Sequence, residues 1–221
     1  MDRPVFVIGD VHGCYYTLKN LVSKLPKGSQ LIFVGDLCDY GRYSREVVEF
    51  VMGEGHRCVV GNHDIHMLLH LKEAIGGKSS PWSSRPHYGA EATIASYRKA
   101  GEDVVERHLE WIASLPHLIE ERDRLITHGF GLPFYRTDHP RREFYMRVNR
   151  PGDSRYLHLY DPRYTELQIV NIFGHHCVER VMRGKNHVAI DTGCKMGRRL
   201  SAVELESLRE VSVPAQRKDF S

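Results

Sequence analysis

The segment Gly9-Asp10-Val11-His12-Gly13 places a carboxylate and an imidazole two residues apart between glycines. Gly35-Asp36-Leu37-Cys38-Asp39-Tyr40-Gly41 carries two aspartates, and Gly61-Asn62-His63-Asp64 sets an amide oxygen beside a second imidazole. Downstream, His128 stands in Thr127-His128-Gly129 and His175 in Phe173-Gly174-His175-His176. Carboxylate, imidazole and amide oxygen together suit borderline divalent cations: Mn²⁺, Fe or Zn²⁺. Ligation without cysteine is unlike a structural zinc knot. One carboxylate bridging two ligand groups makes a two-metal site, with ions roughly 3.5–4 Å apart. Such a pair clamps a phosphoryl group and acidifies a bridging water until hydroxide forms near neutral pH. Taken singly, an Asp after a strand is a turn or helix cap, and a glycine-flanked His is an ordinary loop residue. The ordered occurrence of all five segments is what chance does not produce.

Each segment ends an apolar run. "PVFVIGD", "LIFVGD" and "RCVVGNHD" read as strands, and the first two are followed by the helical patterns "CYYTLKNLVSKL" and "SREVVEFVMG", the second with Ser44 as N-cap. This alternation predicts an α/β fold, whose ligand sites form beyond the carboxyl ends of the strands. Residues 65–75 and 91–114 have helical periodicity. Between them, "GGKSSPWSSRPHYGA" reads as a loop whose Trp82, Arg85 and His87 form either a lid or rim or an exposed insertion. "HLIEE", "RLITHG", "LQIVNIFGHH", "NHVAID" and "RLSAVEL" then read as strands, and a second sheet packed on the first buries both sets. The expectation is one domain over 1–205 and a loose polar tail over 206–221.

In 221 residues, 41% apolar and 27% charged, a sizeable core can be buried. The net charge of +3 is too small to imply nucleic-acid binding. Cys14, Cys38, Cys58, Cys177 and Cys194 are odd in number and form no CxxC pair, which fits a reducing compartment. The start "MDRPVFVIGD", with Asp2, does not read as a signal peptide, and no stretch approaches membrane-spanning length. The expectation is a cytoplasmic protein with neither nucleic-acid nor membrane partners.

"GDVHG", "GDLCDYG", "GNHD", "THG" and "FGHH", with "IDTGCKMGRRLSAVEL" at 190–205, resemble the signature blocks of calcineurin-like metallophosphoesterases. The nearer resemblance is to the phosphoprotein phosphatase branch, with its small bacterial and phage serine/threonine phosphatases and the related diadenosine tetraphosphate hydrolases. It spans residues 5 to about 205. It implies a four-layer α/β/β/α sandwich of two mixed sheets, with a binuclear metal site at the strand C-terminal ends. It also implies that Asp10, His12 and Asp36 hold one divalent ion (Mn²⁺ foremost, with Fe or Zn²⁺ as alternatives), and that Asp36, Asn62, His128 and His175 hold a second. His63 would be the general acid, oriented by Asp39, while a metal-bridging hydroxide attacks phosphorus directly.

The family block usually reads Asp-Arg-Gly where this chain has Asp39-Tyr40-Gly41, so the Arg expected to bind phosphate is missing. Tyr40 donates one hydrogen bond without charge. Arg42 either substitutes from a shifted direction or only flanks the turn. A second phosphate-binding Arg resembles Arg147 in "EFYMRVNRPG", with Arg150 as the other choice. Asp64, where many members have Glu, reads as coupled to Tyr40. The leading functional reading is a metal-dependent phosphomonoesterase acting on phosphoproteins, Ser/Thr or Tyr, or on a small phosphoester. The alternative is a hydrolase of diadenosine tetraphosphate or a related nucleotide. That reading requires stacking aromatics, for which Trp82, Tyr88, Phe134 and Tyr135 are candidates. A binding module on an inactive phosphatase fold is a third reading.

Overall fold

The computed structural model describes residues 3–221, and Asp2 lies outside them. In chain order the elements are β1 (Val5–Ile8), α1 (Tyr15–Val22), β2 (Gln30–Phe33), α2 (Ser44–Gly53), β3 (Arg57–Cys58), α3 (Asn62–Ile75), α4 (Ala90–Tyr97) and α5 (Glu102–Ala113). The second half contributes β4 (Leu118–Glu121), β5 (Arg124–Thr127), α6 (Arg142–Val148), β6 (Val170–Phe173), β7 (Met182–Arg183), β8 (His187–Ala189), β9 (Arg199–Glu204) and β10 (Glu210–Pro214). The first sheet runs β10-β9-β1-β2-β3 and the second β4-β5-β6-β8-β7. Each mixes parallel and antiparallel pairs.

The apolar runs are continuous because both faces of each sheet are covered. On β1 and β2, Phe6, Ile8, Leu31 and Phe33 point to the helices, while Val7 and Ile32 point to the other sheet. Val7, Ile32, Val59, Ile126, Ile172, Val188 and Val203 form the layer between the sheets. Leu125, Phe134, Tyr145, Met146 and Phe173 form a third layer against α6 and the short turns outside the second sheet. Full burial of each such side chain contributes about 1.5–3 kcal/mol. Three apolar layers between four layers of structure give the expected α/β/β/α sandwich. Strands β1, β2, β5 and β6 are linked in parallel within their sheets, so their carboxyl ends carry Asp10, Asp36, His128 and His175 to one edge.

Four expectations are corrected. Residues 206–221 are not loose. β10 pairs antiparallel with β9 from Glu210↔Val203 to Pro214↔Arg199, following the alternation in Glu210-Val211-Ser212-Val213. Beyond it, buried Asp219 accepts hydrogen bonds from the backbone N–H groups of Tyr16 and Thr17 and from the Thr17 hydroxyl. Strand β9 returns to the first sheet, not the second. The span 91–114 breaks into two helices at 98–101, where Gly101 precedes α5. Ser44 is the first residue of α2 and not its cap; its hydroxyl is shared with Thr93 and the Asp39 N–H instead.

Candidate metal centre

Asp36 lies at the middle of the site and is 1% exposed. Its Oδ2 is 3.5 Å from His12 Nε2, and its Oδ1 is 3.3 Å from His128 Nε2. Two donor groups therefore meet on it: His12, Asp36 and His63 on one side, and Asp36, His128 and His175 on the other, each with atoms within 4.8 Å of one another. Asp10 Oδ2 is 3.9 Å from His12 Nε2 and accepts the His175 backbone N–H at 3.0 Å. Asn62 Oδ1 is 3.1 Å from His128 Nε2. All six expected metal ligands are thus brought together.

The turns that present them are tight. His12, Asp36, Asp39, Tyr40 and His175 all have positive φ, at 48, 51, 74, 66 and 58°. Asp and His tolerate this region better than most residues, yet such a cluster stores strain of order 1–3 kcal/mol each, as functional sites do. Gly61 and Gly174 are demanded by close approach: a Cβ would fall 2.2 Å from Asp36 Oδ1 at the first and 1.8 Å from Asp10 Oδ1 at the second. The Asp64 carboxylate accepts the backbone N–H groups of Gly61, Asp36 and Leu37, which locks the second turn to the third. The Tyr40 hydroxyl bonds elsewhere, to the His87 carbonyl.

Hydrogen bonding fixes the tautomers. His12 Nδ1–H donates to the Cys38 carbonyl at 2.8 Å, and His128 Nδ1–H donates to the Val34 carbonyl at 2.7 Å. Both rings therefore turn Nε2 inward. Burial holds the His12 pKa well below its usual value, so the ring is neutral, and its Nε2 is buried with no hydrogen-bond partner. His128 Nε2 and Asn62 Oδ1 face one another at 3.1 Å. A buried imidazole lone pair aimed at carboxylates without a proton between them needs a cation, and the donor set suits a borderline divalent metal. The residues present fit two such ions sharing Asp36.

His63 is oriented differently. Its Nδ1–H donates to Asp39 Oδ2 at 2.6 Å. Trp82 Nε1–H donates to that oxygen at 2.9 Å, and the Thr93 hydroxyl donates to Oδ1 at 2.8 Å. Burial works against a charged His63, but the Asp36 and Asp39 carboxylates outweigh it and raise its pKa. A fixed, readily protonated imidazole beside a metal-binding carboxylate can deliver a proton to a leaving oxygen.

The other expected residues divide. Tyr40 lies at the site, its ring 5.1 Å from the His12 ring and 5.6 Å from that of His63. Arg147 is half-buried and contacts His117 Nδ1 at 3.1 Å; burial lowers its pKa, against the charges of Glu143, Asp36 and Asp64. Arg42 is not brought in. Gly41 N–H bonds back to the Asp39 and His12 carbonyls, and exposed Arg42 runs on to the Asp219 carbonyl, in a groove with Tyr43, Ser96 and Ser221. In segment 76–90, Trp82 is fully buried and donates to Asp39, while Arg85 and His87 are exposed. Of the stacking candidates, Phe134 is buried outside the second sheet and the Tyr135 hydroxyl donates to Glu120. Only Tyr88 remains at the rim, half-exposed, its ring 6.1 Å from His63 and 4.9 Å from His66.

Asp191 and Lys195, outside the five sequence segments, belong to the same edge. Asp191 is 1% exposed; its Oδ1 accepts the Gly193 N–H, and its Oδ2 is buried without a partner. Burial raises its pKa. The signal was available: "NHVAID" ends an apolar run in Asp, as the runs before Asp10 and Asp36 do.

Residues 3–189 match the calcineurin-like phosphoesterase model, and the chain belongs to that family of metallophosphoesterases. The chain is 28% identical over 241 residues to the asymmetrical bis(5'-nucleosyl)-tetraphosphatase PrpE of Bacillus subtilis (strain 168), covering 95% of this chain and 93% of that protein. It is 26% identical to the symmetrical bis(5'-nucleosyl)-tetraphosphatase of Methylococcus capsulatus (strain ATCC 33009 / NCIMB 11132 / Bath), covering 96% and 95% respectively. A crystal structure of a putative diadenosine tetraphosphatase superposes with a TM-score of 0.69 at 22% identity, over 97% of this chain and 94% of that one. Among the described residues, no helix is long and apolar enough to cross a membrane.

Proposed function

We propose that this metallophosphoesterase hydrolyses dinucleoside polyphosphates of the bis(5'-nucleosyl)-tetraphosphate type. The observation that carries this reading is the end-to-end correspondence with two bis(5'-nucleosyl)-tetraphosphatases, which favours a dinucleotide substrate over the phosphoprotein expected from sequence. The half-exposed ring of Tyr88 beside His63 supports it by offering a stacking face next to the reacting centre.

In this reading Asp10, His12 and Asp36 hold one divalent ion, and Asp36, Asn62, His128 and His175 hold the other; Mn²⁺, Fe and Zn²⁺ each suit the donors. Bound there, the ions supply Lewis acidity, neutralising phosphoryl oxygens and acidifying water. Asp39, steadied by Trp82 and Thr93, keeps His63 protonated on Nδ1 and turned so that Nε2–H faces the leaving oxygen. Arg147, within electrostatic reach of Asp36 and Asp64, is the candidate guanidinium for a phosphate oxygen. Water adds to one phosphorus and gives up a proton to solvent, the P–O–P bond breaks, and His63 protonates the departing phosphate.

The test is a panel of diadenosine tetraphosphate, phosphoserine and phosphotyrosine peptides at equal enzyme with Mn²⁺, with nucleotide products separated. The expected result is a kcat/KM at least about 10²-fold higher for the dinucleotide. Release of ATP with AMP identifies asymmetrical cleavage, and two ADP symmetrical cleavage. Preference for a phosphopeptide overturns the reading.

A further inference from the structure

We propose that Lys195 is a phosphate-binding cation of this site, seated on the ring of Tyr40 and supplying the charge that position 40 lacks. The inference rests on reading the site as one that hydrolyses phosphoric esters or anhydrides, but not on which one.

Lys195 is displayed by the short turn Cys194–Met196, held between Gly193 at φ 78° and Gly197 at φ 72°. Its Nζ lies 5.0 Å from the centroid of the Tyr40 ring. That ring is fixed from both ends. Its hydroxyl donates to the His87 carbonyl at 2.5 Å, and its ring packs against those of His12 and His63. Gly89 lies so close that a Cβ there would come within 2.8 Å of the ring. From this ring the ammonium acts electrostatically on Asp10, His12 and His63, which puts its charge at the site.

The lysine is not used up by the protein. Among the described residues, its ammonium makes no hydrogen bond, and no carboxylate lies within the 4 Å of an ion pair; the Tyr40 ring is its one close partner. Asp36, Asp10 and Asp191 nevertheless act on it strongly enough to outweigh burial and keep it charged. Three N–H donors on a half-buried cation thus remain available. Divalent ions held by Asp10 and Asp36 would repel this ammonium, and an anionic oxygen between them removes that conflict. A phosphoryl group bound there would meet Lys195 on one side and Arg147 on the other.

The cation–π seat explains the tyrosine. An aromatic face holds an ammonium with about 0.5–2 kcal/mol of attraction without forming a competing salt bridge, so the donors stay free for substrate. Lysine offers a point charge where the usual arginine offers a fork. The charge is retained but arrives from the turn after β8 instead of the turn after β2.

The probe is inorganic phosphate titrated calorimetrically into metal-loaded protein, which reads binding without turnover. Lys195→Met should raise the phosphate Kd roughly 10- to 100-fold, the range of a lost charge-assisted hydrogen bond, while Lys195→Arg stays within about 3-fold. Tyr40→Leu should raise it by about 3- to 10-fold and Tyr40→Phe should leave it near wild type, since only the ring is needed. Lys185→Met, which removes a positive charge from an exposed turn, should change nothing. Metal content, measured by elemental analysis, should be equal in all variants. An unchanged Kd in Lys195→Met, or in Lys195→Gln should the methionine variant not fold, overturns the inference. So does a loss of bound metal in the lysine variants, which would place Lys195 in the support of the metal ligands. A shifted Kd in an enzyme that ignores diadenosine tetraphosphate leaves this inference standing and removes only the substrate reading.

Discussion

The two sheets hand residues to the site in different ways. From the first, Asp10, His12, Asp36, Asp39, Asn62 and His63 arrive on three neighbouring turns that brace one another: Asp64 gathers three N–H groups, and Asp36 Oδ1 accepts the His63 N–H. From the second, His128 and His175 arrive singly, separated by the irregular stretch 149–169 and helix α6. Each is oriented by the first sheet, His128 through the Val34 carbonyl and His175 through the Asp10 carboxylate. The first sheet acts as a template that forms its own geometry, and the second completes the donor set by docking on it.

The largest test of that asymmetry is Asp36→Asn. Its carboxylate belongs to both donor groups, so both ions should be lost and kcat/KM should fall by more than the roughly 10⁴-fold ceiling of a lost general acid. His128→Ala should remove one ion and retain the other; elemental analysis distinguishes them, and two retained ions in Asp36→Asn would break the comparison.

Next comes Asp39→Asn, with an expected loss of roughly 10²–10³-fold. The His63 pKa is raised with help from Asp39, so removing that charge lowers it. His63 then loses its proton at lower pH, and the alkaline limb of the kcat/KM profile should move acidward; a stationary limb argues against His63 as the acid. Trp82→Phe keeps the buried ring shape but removes one donor to Asp39. Its expected cost is about 1 kcal/mol, roughly 5-fold in kcat, with little change in KM. The smallest effect on turnover belongs to Asp219→Ala. Three donors around α1 lose their acceptor, so stability should fall by about 1–3 kcal/mol and Tm by several degrees, with near-normal activity below the transition.

The same asymmetry governs what the sequence discloses. Asp10 with His12, Asp36 with Asp39 and Asn62 with His63 are legible because donors and strand lie within a few residues of each other. Trp82 reaches Asp39 across 43 residues, and Arg42 is turned away by hydrogen bonds made by Gly41. Neither relation has a local signal. Lys195 sits in a turn that reads as an ordinary connection, and its meaning appears only when Tyr40 is beneath it. In residues 206–221, the alternation of Val211 and Val213 was present but short and flanked by charge, and β9 supplied the partner that makes it a strand.

The left-handed residues of the site also set its mutational neighbourhood. His12, Asp36, Asp39 and His175 occupy a backbone region open chiefly to Asn, Asp, His and Gly and costly for β-branched side chains. Most single-step replacements there would damage the turn as well as the donor. Drift at these positions is thus channelled toward other short polar residues, and a catalytically silent descendant of this chain would most readily keep its loops and lose only a charge.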